Sequence, residues 1–246
     1  TDAGSNGSAL QCNPWNKPSG TGMQQEGVIK FDLVFTPGSP PLFDQFRTLA
    51  AWRRILWMLG LIGQEAGRYD GYGYGNISCR VDPAVTLPVE RPFVISGSQT
   101  SHLPDPDEHH YAIVQACDLA GNRVVATGPV RPSSESLTHG MLYELEDRIR
   151  YIFHVHSPEL WQHARKLEIP VTRHDVHYGT PAMAREVSRL FRETDAGRRG
   201  LFSMGGHQDG IVAFGKDAGE TGTRLLAALA RAFEFRSCSM KSGVEK

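Results

Sequence analysis

The chain has 246 residues, of which 40% are hydrophobic and 22% charged, and this composition is typical of a globular protein with a sizeable core. Its formal net charge of -1 gives no general electrostatic reason to bind nucleic acid or an anionic membrane, and no stretch approaches eighteen consecutive apolar residues, so we expect small-molecule partners. The cysteines, Cys12, Cys79, Cys117 and Cys238, form no Cys-x-x-Cys pair, which argues against a disulfide framework and a thiolate zinc site and favours a cytoplasmic location.

Short strands and helices are predicted along one main domain. Runs of β-branched or alternating residues between turn residues indicate strands, and apolar residues at helical spacing indicate helices. The strands are predicted at 28–35, 76–81, 91–95, 111–118, 122–126, 150–156 and 210–214, and the helices at 44–62, after 132, and at 158–167, 181–193 and 217–235. Polar and apolar residues alternate in the second strand, which predicts that it is half-buried. This order favours a mixed α/β layered fold.

Composition changes near both ends predict the domain boundaries. Residues 1–22 are rich in Gly, Ser, Asn and Pro, and a Pro/Gly segment ends near 41. We therefore expect residues 1–41 to be a tail and extension, partly disordered, and 42–236 to be the main domain. Residues 237–246 are expected to be a C-terminal tail.

Three predicted helices begin with capping residues. Asp44 is a candidate N-cap for the first helix, and Ser133 or Ser134 can cap the helix after 132, which places Glu135 in its first turn. Asp217 resembles the first residue of a capping box and would begin the last helix.

Two histidines in the predicted strand 150–156 are the strongest chemical signal. Because side chains alternate along a strand, His154 and His156 project from one face while the apolar residues beside them face a core. A catalytic zinc takes three protein ligands and leaves one position open. The best third ligand is His207, since glycines on both sides allow a sharp turn there. Taken singly, these residues could equally be surface or loop histidines.

An ordered set of motifs resembles the class II aldolase/adducin family over about residues 45–235. The set comprises Gly75-Asn76-Ile77-Ser78, Ile95-Ser96-Gly97, Pro132-Ser133-Ser134-Glu135 with His139, His154-Val155-His156, Gly179-Thr180 and Gly206-His207. The resemblance implies a three-layer α/β/α fold around a largely antiparallel sheet. It also implies a homotetramer with active sites at subunit contacts, and a catalytic zinc, although another divalent metal could take its place.

The resemblance also implies roles for individual residues. His154, His156 and His207 become the zinc ligands, and Glu135 becomes the catalytic acid/base. The pocket for a substrate phosphate would comprise Asn76, Ser96, Gly97, Ser133 and Ser134. Hydroxyls, an amide and backbone N–H groups near a helix N-terminus are suited to hold a phosphate.

The implied activity is zinc-dependent cleavage or formation of a C–C bond in a small, phosphorylated or polyhydroxylated ketose, through an enediolate. Glutamate at 135 favours an aldolase over the family's epimerases, which carry aspartate there. A sugar-phosphate dehydratase or epimerase and a non-catalytic, adducin-like assembly domain are the alternatives. The segment after the His-x-His strand is shorter than in the sugar-phosphate aldolases, which leaves His174, His177 and Tyr178 as candidates for a proton donor or substrate contact.

Overall fold

The structure is a computed structural model that describes residues 27–81 and 92–241, with side chains as far as residue 235. The strands are β1 Asp32–Pro37, β2 Gly63–Gln64, β3 Gly73–Tyr74, β4 Asn76–Arg80, β5 Phe93–Ser96, β6 Tyr111–Asp118, β7 Arg123–Gly128, β8 Tyr151–His156, β9 Leu201–Ser203 and β10 Gly210–Gly215. The helices are α1 Phe46–Met58, α2 Ser136–Leu145, α3 Pro158–His163, α4 Pro181–Glu193, α5 Ala196–Arg199 and α6 Ala218–Lys241. The predicted tail at 1–22 lies outside the described residues.

A central sheet of eight strands has the order β1-β7-β6-β5-β4-β8-β10-β9. Its neighbouring strands pair antiparallel, except β1 with β7, which are parallel. The prediction of a largely antiparallel sheet is therefore confirmed. Because β1 pairs along its whole length, the sheet takes in residues that precede 42, the predicted start of the main domain.

Helices cover both faces of this sheet, which confirms the three-layer α/β/α fold. One core cluster packs α1, α3 and α6 against Phe153 and Val155 of β8. The other cluster packs α2 and α4 against Ile152 of the same strand. Since alternate residues of a strand face opposite sides, His154 and His156 share the face of Ile152, as predicted.

Helix α4 has the predicted bounds, whereas two predicted helix starts are wrong. Helix α1 has Gln45, not Asp44, at its N-cap. Glu135 is the N-cap of α2 rather than a first-turn residue, because Ser133 Oγ accepts a hydrogen bond from its backbone N–H at 3.3 Å and holds a turn before the helix. The capping prediction for α6 is confirmed, since Asp217 Oδ1 accepts from Glu220 N at 2.7 Å. Helix α6 extends into the predicted C-terminal tail.

Strand β4 is buried on both faces, so the prediction of a half-buried strand is wrong. Its polar side chains find partners in the interior. Ser78 Oγ lies 2.7 Å from both His139 Nδ1 and Tyr143 Oη, and Arg80 donates to the Tyr143 carbonyl. Burial disfavours the charged form of His139 and lowers its pKa to about 3. Within the described residues, no helix is long and apolar enough to cross a membrane.

Candidate metal centre

The sheet places two histidines side by side and a turn delivers the third. His154 on β8 lies between Asn76 on β4 and Val212 on β10, while His156 pairs with Gly210. His207 lies in the turn between β9 and β10. This turn is closed by hydrogen bonds from His207 N to Met204 O at 3.1 Å and from Gly210 N to His207 O at 3.0 Å.

Glycine at position 206 allows the turn to approach its neighbours closely. A Cβ atom there would lie 2.1 Å from the Val176 carbonyl oxygen, so no side chain fits. The adjacent Gly205 donates its N–H to Thr172 Oγ1 at 2.9 Å and faces His174 through its carbonyl, 3.0 Å from Nδ1. The segment at 172–176 therefore supports the turn that carries His207.

The three predicted ligands, His154, His156 and His207, form one buried cluster. One ligand atom from each lies within 4.8 Å of the others, and the ring centroids are 4.8–5.1 Å apart. Burial, followed by the nearby imidazole of His207, holds the pKa values of His154 and His156 well below their ordinary range. Neutral imidazoles are the form that binds a metal. The cluster could therefore hold a divalent metal ion.

The surroundings of His154 fit a metal ligand. Its Nε2 is buried and has no hydrogen-bond partner among the described residues, while its Nδ1 lies 3.2 Å from the Asn76 amide nitrogen. The buried Oδ1 of that amide also has no partner in this part of the chain. Rotation of the amide would let Oδ1 accept Nδ1–H and leave the Nε2 lone pair for a metal.

Glu135 brings a carboxylate to this cluster. As the N-cap of α2 it is buried, with 2% of its surface exposed, and its Oε1 lies 3.4 Å from His207 Nδ1. A carboxylate at this position can exchange a proton with a substrate beside the histidines. The turn at 133–135 positions the Glu135 carboxylate, so this acid/base candidate lies where α2 begins.

A small polar cavity, partly open to solvent, lies beside His154. It brings together most of the predicted phosphate-binding residues and others that sequence reasoning missed. The lining residues are Gly27, Gly73, Gly75, Asn76, Gly97, Ser98, Gln99, Ser101, Ser133, Ser134, Glu135 and His154. The missed residues come from glycine-rich or loop segments without an acid, base or metal-ligand pattern.

Ser96 and Gly97 differ from the simplest expectation for a phosphate pocket. Ser96 is not among the lining residues, and its hydroxyl accepts from Ile77 N at 3.1 Å. Gly97 lines the cavity, but its N–H already donates to the His110 carbonyl at 2.8 Å. The Ser96 hydroxyl and the Gly97 N–H thus have protein partners in this structure.

The three candidate donors lie in different settings. His174 and His177 are exposed, whereas Tyr178 is fully buried. The Tyr178 ring stacks on His207, with centroids 4.4 Å apart and planes at 25°. Tyr178 therefore contacts a candidate metal ligand directly.

A hydrogen-bonded tyrosine beside His156 was missed by sequence reasoning. The ring of Tyr69 lies edge-on against His156 with centroids 4.7 Å apart, and its hydroxyl donates to Asp209 Oδ2 at 2.7 Å. Arg68 Nη2 donates to the same hydroxyl at 3.0 Å. Burial and the Asp209 bond raise the pKa of Tyr69 far above its ordinary value. The glycine- and aromatic-rich composition of 69–75 was the only signal for it.

The family comparison covers most of the chain. Residues 64–235 match the Class II Aldolase and Adducin N-terminal domain. No curated protein sequence gives a significant match. The matched region contains all the candidate metal ligands and Glu135.

Solved structures share the fold at low sequence identity. An L-fuculose 1-phosphate aldolase is 19% identical with a TM-score of 0.58, over 83% of this chain and 90% of that one. A sugar-phosphate aldolase from Thermotoga maritima is 18% identical with a TM-score of 0.59, over 82% and 97%. YgbL from Escherichia coli, a candidate aldolase/epimerase/decarboxylase, is 15% identical with a TM-score of 0.54, over 76% and 85%. These similarities establish the fold alone.

Proposed function

Because the chain belongs to the class II aldolase/adducin family, we propose that it is a zinc-dependent lyase of aldolase type. Its reaction would be reversible C–C bond cleavage in a small, phosphorylated ketose. The observation that carries this proposal is the buried cluster of His154, His156 and His207, with Glu135 Oε1 3.4 Å from His207 Nδ1. Three histidine nitrogen ligands with a carboxylate beside them suit metal-assisted proton transfer at a carbonyl compound.

His154, His156 and His207 would hold the metal. A divalent ion bound there supplies a Lewis acid for the carbonyl and hydroxyl oxygens of a ketose. Glu135 would return a proton to the carbanionic carbon in cleavage and remove it in synthesis. Cleavage also requires a group that takes the proton of the hydroxyl that becomes the aldehyde. Tyr178 is our first candidate because it stacks on His207, followed by His174 and His177.

The polar cavity would hold the substrate phosphate. Asn76, Ser133 and Ser134 contribute an amide and two hydroxyls to its lining, next to the N-terminus of α2. Helix N-termini favour anions through their backbone N–H groups and dipole. Ser96 and Gly97 remain in the proposal as supports of this wall, since the Ser96 hydroxyl holds the β4 backbone and Gly97 lines the cavity.

A dehydratase or an epimerase of a sugar phosphate is the enzymatic alternative, because a metal and a carboxylate serve those reactions too. An adducin-like assembly domain without catalysis is the other alternative. The buried histidines favour an enzyme, since an assembly role does not require three buried imidazoles within ligand distance of one another. The family resemblance also carries our proposal of a homotetramer, which light scattering tests. The scattered cysteines carry our proposal of a cytoplasmic location.

Hydrogen exchange on dihydroxyacetone phosphate tests the aldolase proposal without knowledge of the aldehyde. In D₂O the zinc-loaded protein should exchange one C–H proton of the hydroxymethyl carbon, next to the carbonyl, for deuterium. NMR follows this exchange. An aldolase must form this carbanion in the synthetic direction, whereas a non-catalytic domain does not. Exchange above the buffer rate supports the proposal, and its absence at full zinc loading contradicts it for this substrate.

A further inference from the structure

The segment at 27–31 lies outside the family-matched region, 64–235, yet it reaches the candidate site at two points. Gly27 lines the polar cavity together with Glu135. Lys30 Nζ lies 3.4 Å from the centroid of the Tyr178 ring. That ring also stacks on His207. The segment therefore contacts both the cavity wall and the tyrosine that packs against a candidate ligand.

Several contacts hold this segment in place. Asn122 Nδ2 donates to the Lys30 carbonyl at 3.0 Å, and the N–H of Asp32 donates to the Asn122 carbonyl at 2.8 Å. Between them, Phe31 is buried in the core cluster that includes Tyr178. At the other end Gly27 has a φ of +70°, and a Cβ there would lie 2.4 Å from Gln99 Nε2. The segment at 27–31 is therefore packed and hydrogen-bonded as part of the domain.

The charges around the cavity give this segment a chemical role. Among the described residues that line the cavity there is no lysine or arginine, and Glu135 contributes a carboxylate. An anionic substrate group would enter a space lined by this acidic side chain and by no basic one. Lys30 brings a cation to the site, separated from His207 by the Tyr178 ring alone. Charges closer than about 8 Å are only partly screened at physiological ionic strength, so a cation this close to His207 can favour an anion beside that residue.

We propose that the segment at 27–31 is part of the substrate site and that Lys30 supplies positive charge for an anionic group of the substrate. By the proposed function, on which this inference rests, that group is a phosphate. The cation–π contact of Lys30 also stabilises the position of the Tyr178 ring, which stacks on His207. Loss of the charge and loss of this contact act in the same direction and weaken anion binding.

Calorimetric titration of the zinc-loaded full chain with inorganic phosphate tests this role. Lys30→Met keeps the apolar stem, and we expect it to weaken phosphate binding about fivefold to tenfold at low salt, with zinc content unchanged. Lys30→Arg keeps the charge and should stay within about twofold of the wild type. The difference between wild type and Lys30→Met should shrink as ionic strength rises, which a purely structural defect would not reproduce.

Lys166→Met is the matched control. Its Nζ lies 5.7 Å from the Phe235 ring centroid, so the change again removes a lysine beside an aromatic ring, here a ring on α6. Equal phosphate affinity in wild type and Lys30→Met overturns the proposal. A loss of affinity in Lys166→Met as large as that in Lys30→Met overturns it too, as does a wild type that binds no phosphate. If Lys30→Met does not fold, weaker phosphate binding by Lys30→Arg at every salt concentration would overturn it. Weakened phosphate binding without hydrogen exchange on dihydroxyacetone phosphate would support this site while refuting the aldolase.

Discussion

Substitution of Glu135 by glutamine tests the proposed acid/base most sharply. The two side chains have nearly the same shape, and position 135 is buried at the N-cap of α2, so the replacement changes protonation chemistry with little change in packing. Oε1 lies 3.4 Å from His207 Nδ1, which a glutamine oxygen can retain. We expect turnover to fall by about 10²–10⁴, the usual contribution of a general acid/base, equivalent to about 3–5 kcal/mol of activation free energy.

The assay is hydrogen exchange on dihydroxyacetone phosphate at saturating substrate, with zinc content measured on the same samples. Glu144→Gln is the matched control, because Glu144 is exposed near the other end of α2. We expect this control to exchange at the wild-type rate. An unchanged rate in Glu135→Gln at full zinc loading would refute the assigned role. Loss of zinc from that variant would show instead that the carboxylate is required to hold the metal.

Three further predictions concern the support of the site and metal binding. Tyr69→Phe removes the hydroxyl that binds Asp209 beside His156, and we expect it to lower zinc affinity about tenfold in chelator competition. Tyr72→Phe on the same loop should leave zinc affinity unchanged. Equal zinc affinities in the two variants would contradict this prediction. Ser78→Ala deletes a buried hydroxyl with two 2.7 Å contacts and should lower the free energy of unfolding by about 1–3 kcal/mol in urea titrations; an unchanged midpoint would refute it. Zinc at a hundredfold excess over its dissociation constant should raise the melting temperature by about 5–10 °C, and no shift would contradict a folded-state site.

Local patterns predicted the elements that local chemistry determines. Helix α4 begins at Pro181, as the sequence predicts, and in the structure the Thr180 side chain caps it, since a cap and a proline in the first turn both favour a helix start. The alternation along β8 placed His154 and His156 on one face for the same kind of reason. Such features depend on a few neighbouring residues and can be read from the chain.

Features that depend on distant residues were missed or wrong. Strand β4 appeared half-buried because Ser78 is polar, but its partner His139 lies on a helix 61 residues away. Glu135 was expected further into the helix because the sequence predicts Ser133 or Ser134 as the cap, whereas the Ser133 hydroxyl holds a turn that precedes the helix. The short pieces β9 and α5 carry too few residues for a periodic signal. Tyr69 was missed because its partner Asp209 is brought close only by the folded turn.

The zinc content of the purified protein, compared with that of His154→Ala, tests the central claim most directly. The cluster of His154, His156 and His207 predicts close to one zinc per chain in the wild type after loading and removal of excess metal. His154→Ala should lose the metal, while a folded far-UV spectrum shows that the chain survives. A wild type that retains no zinc, or a His154→Ala variant that stays fully metallated, would contradict the assignment of this metal centre.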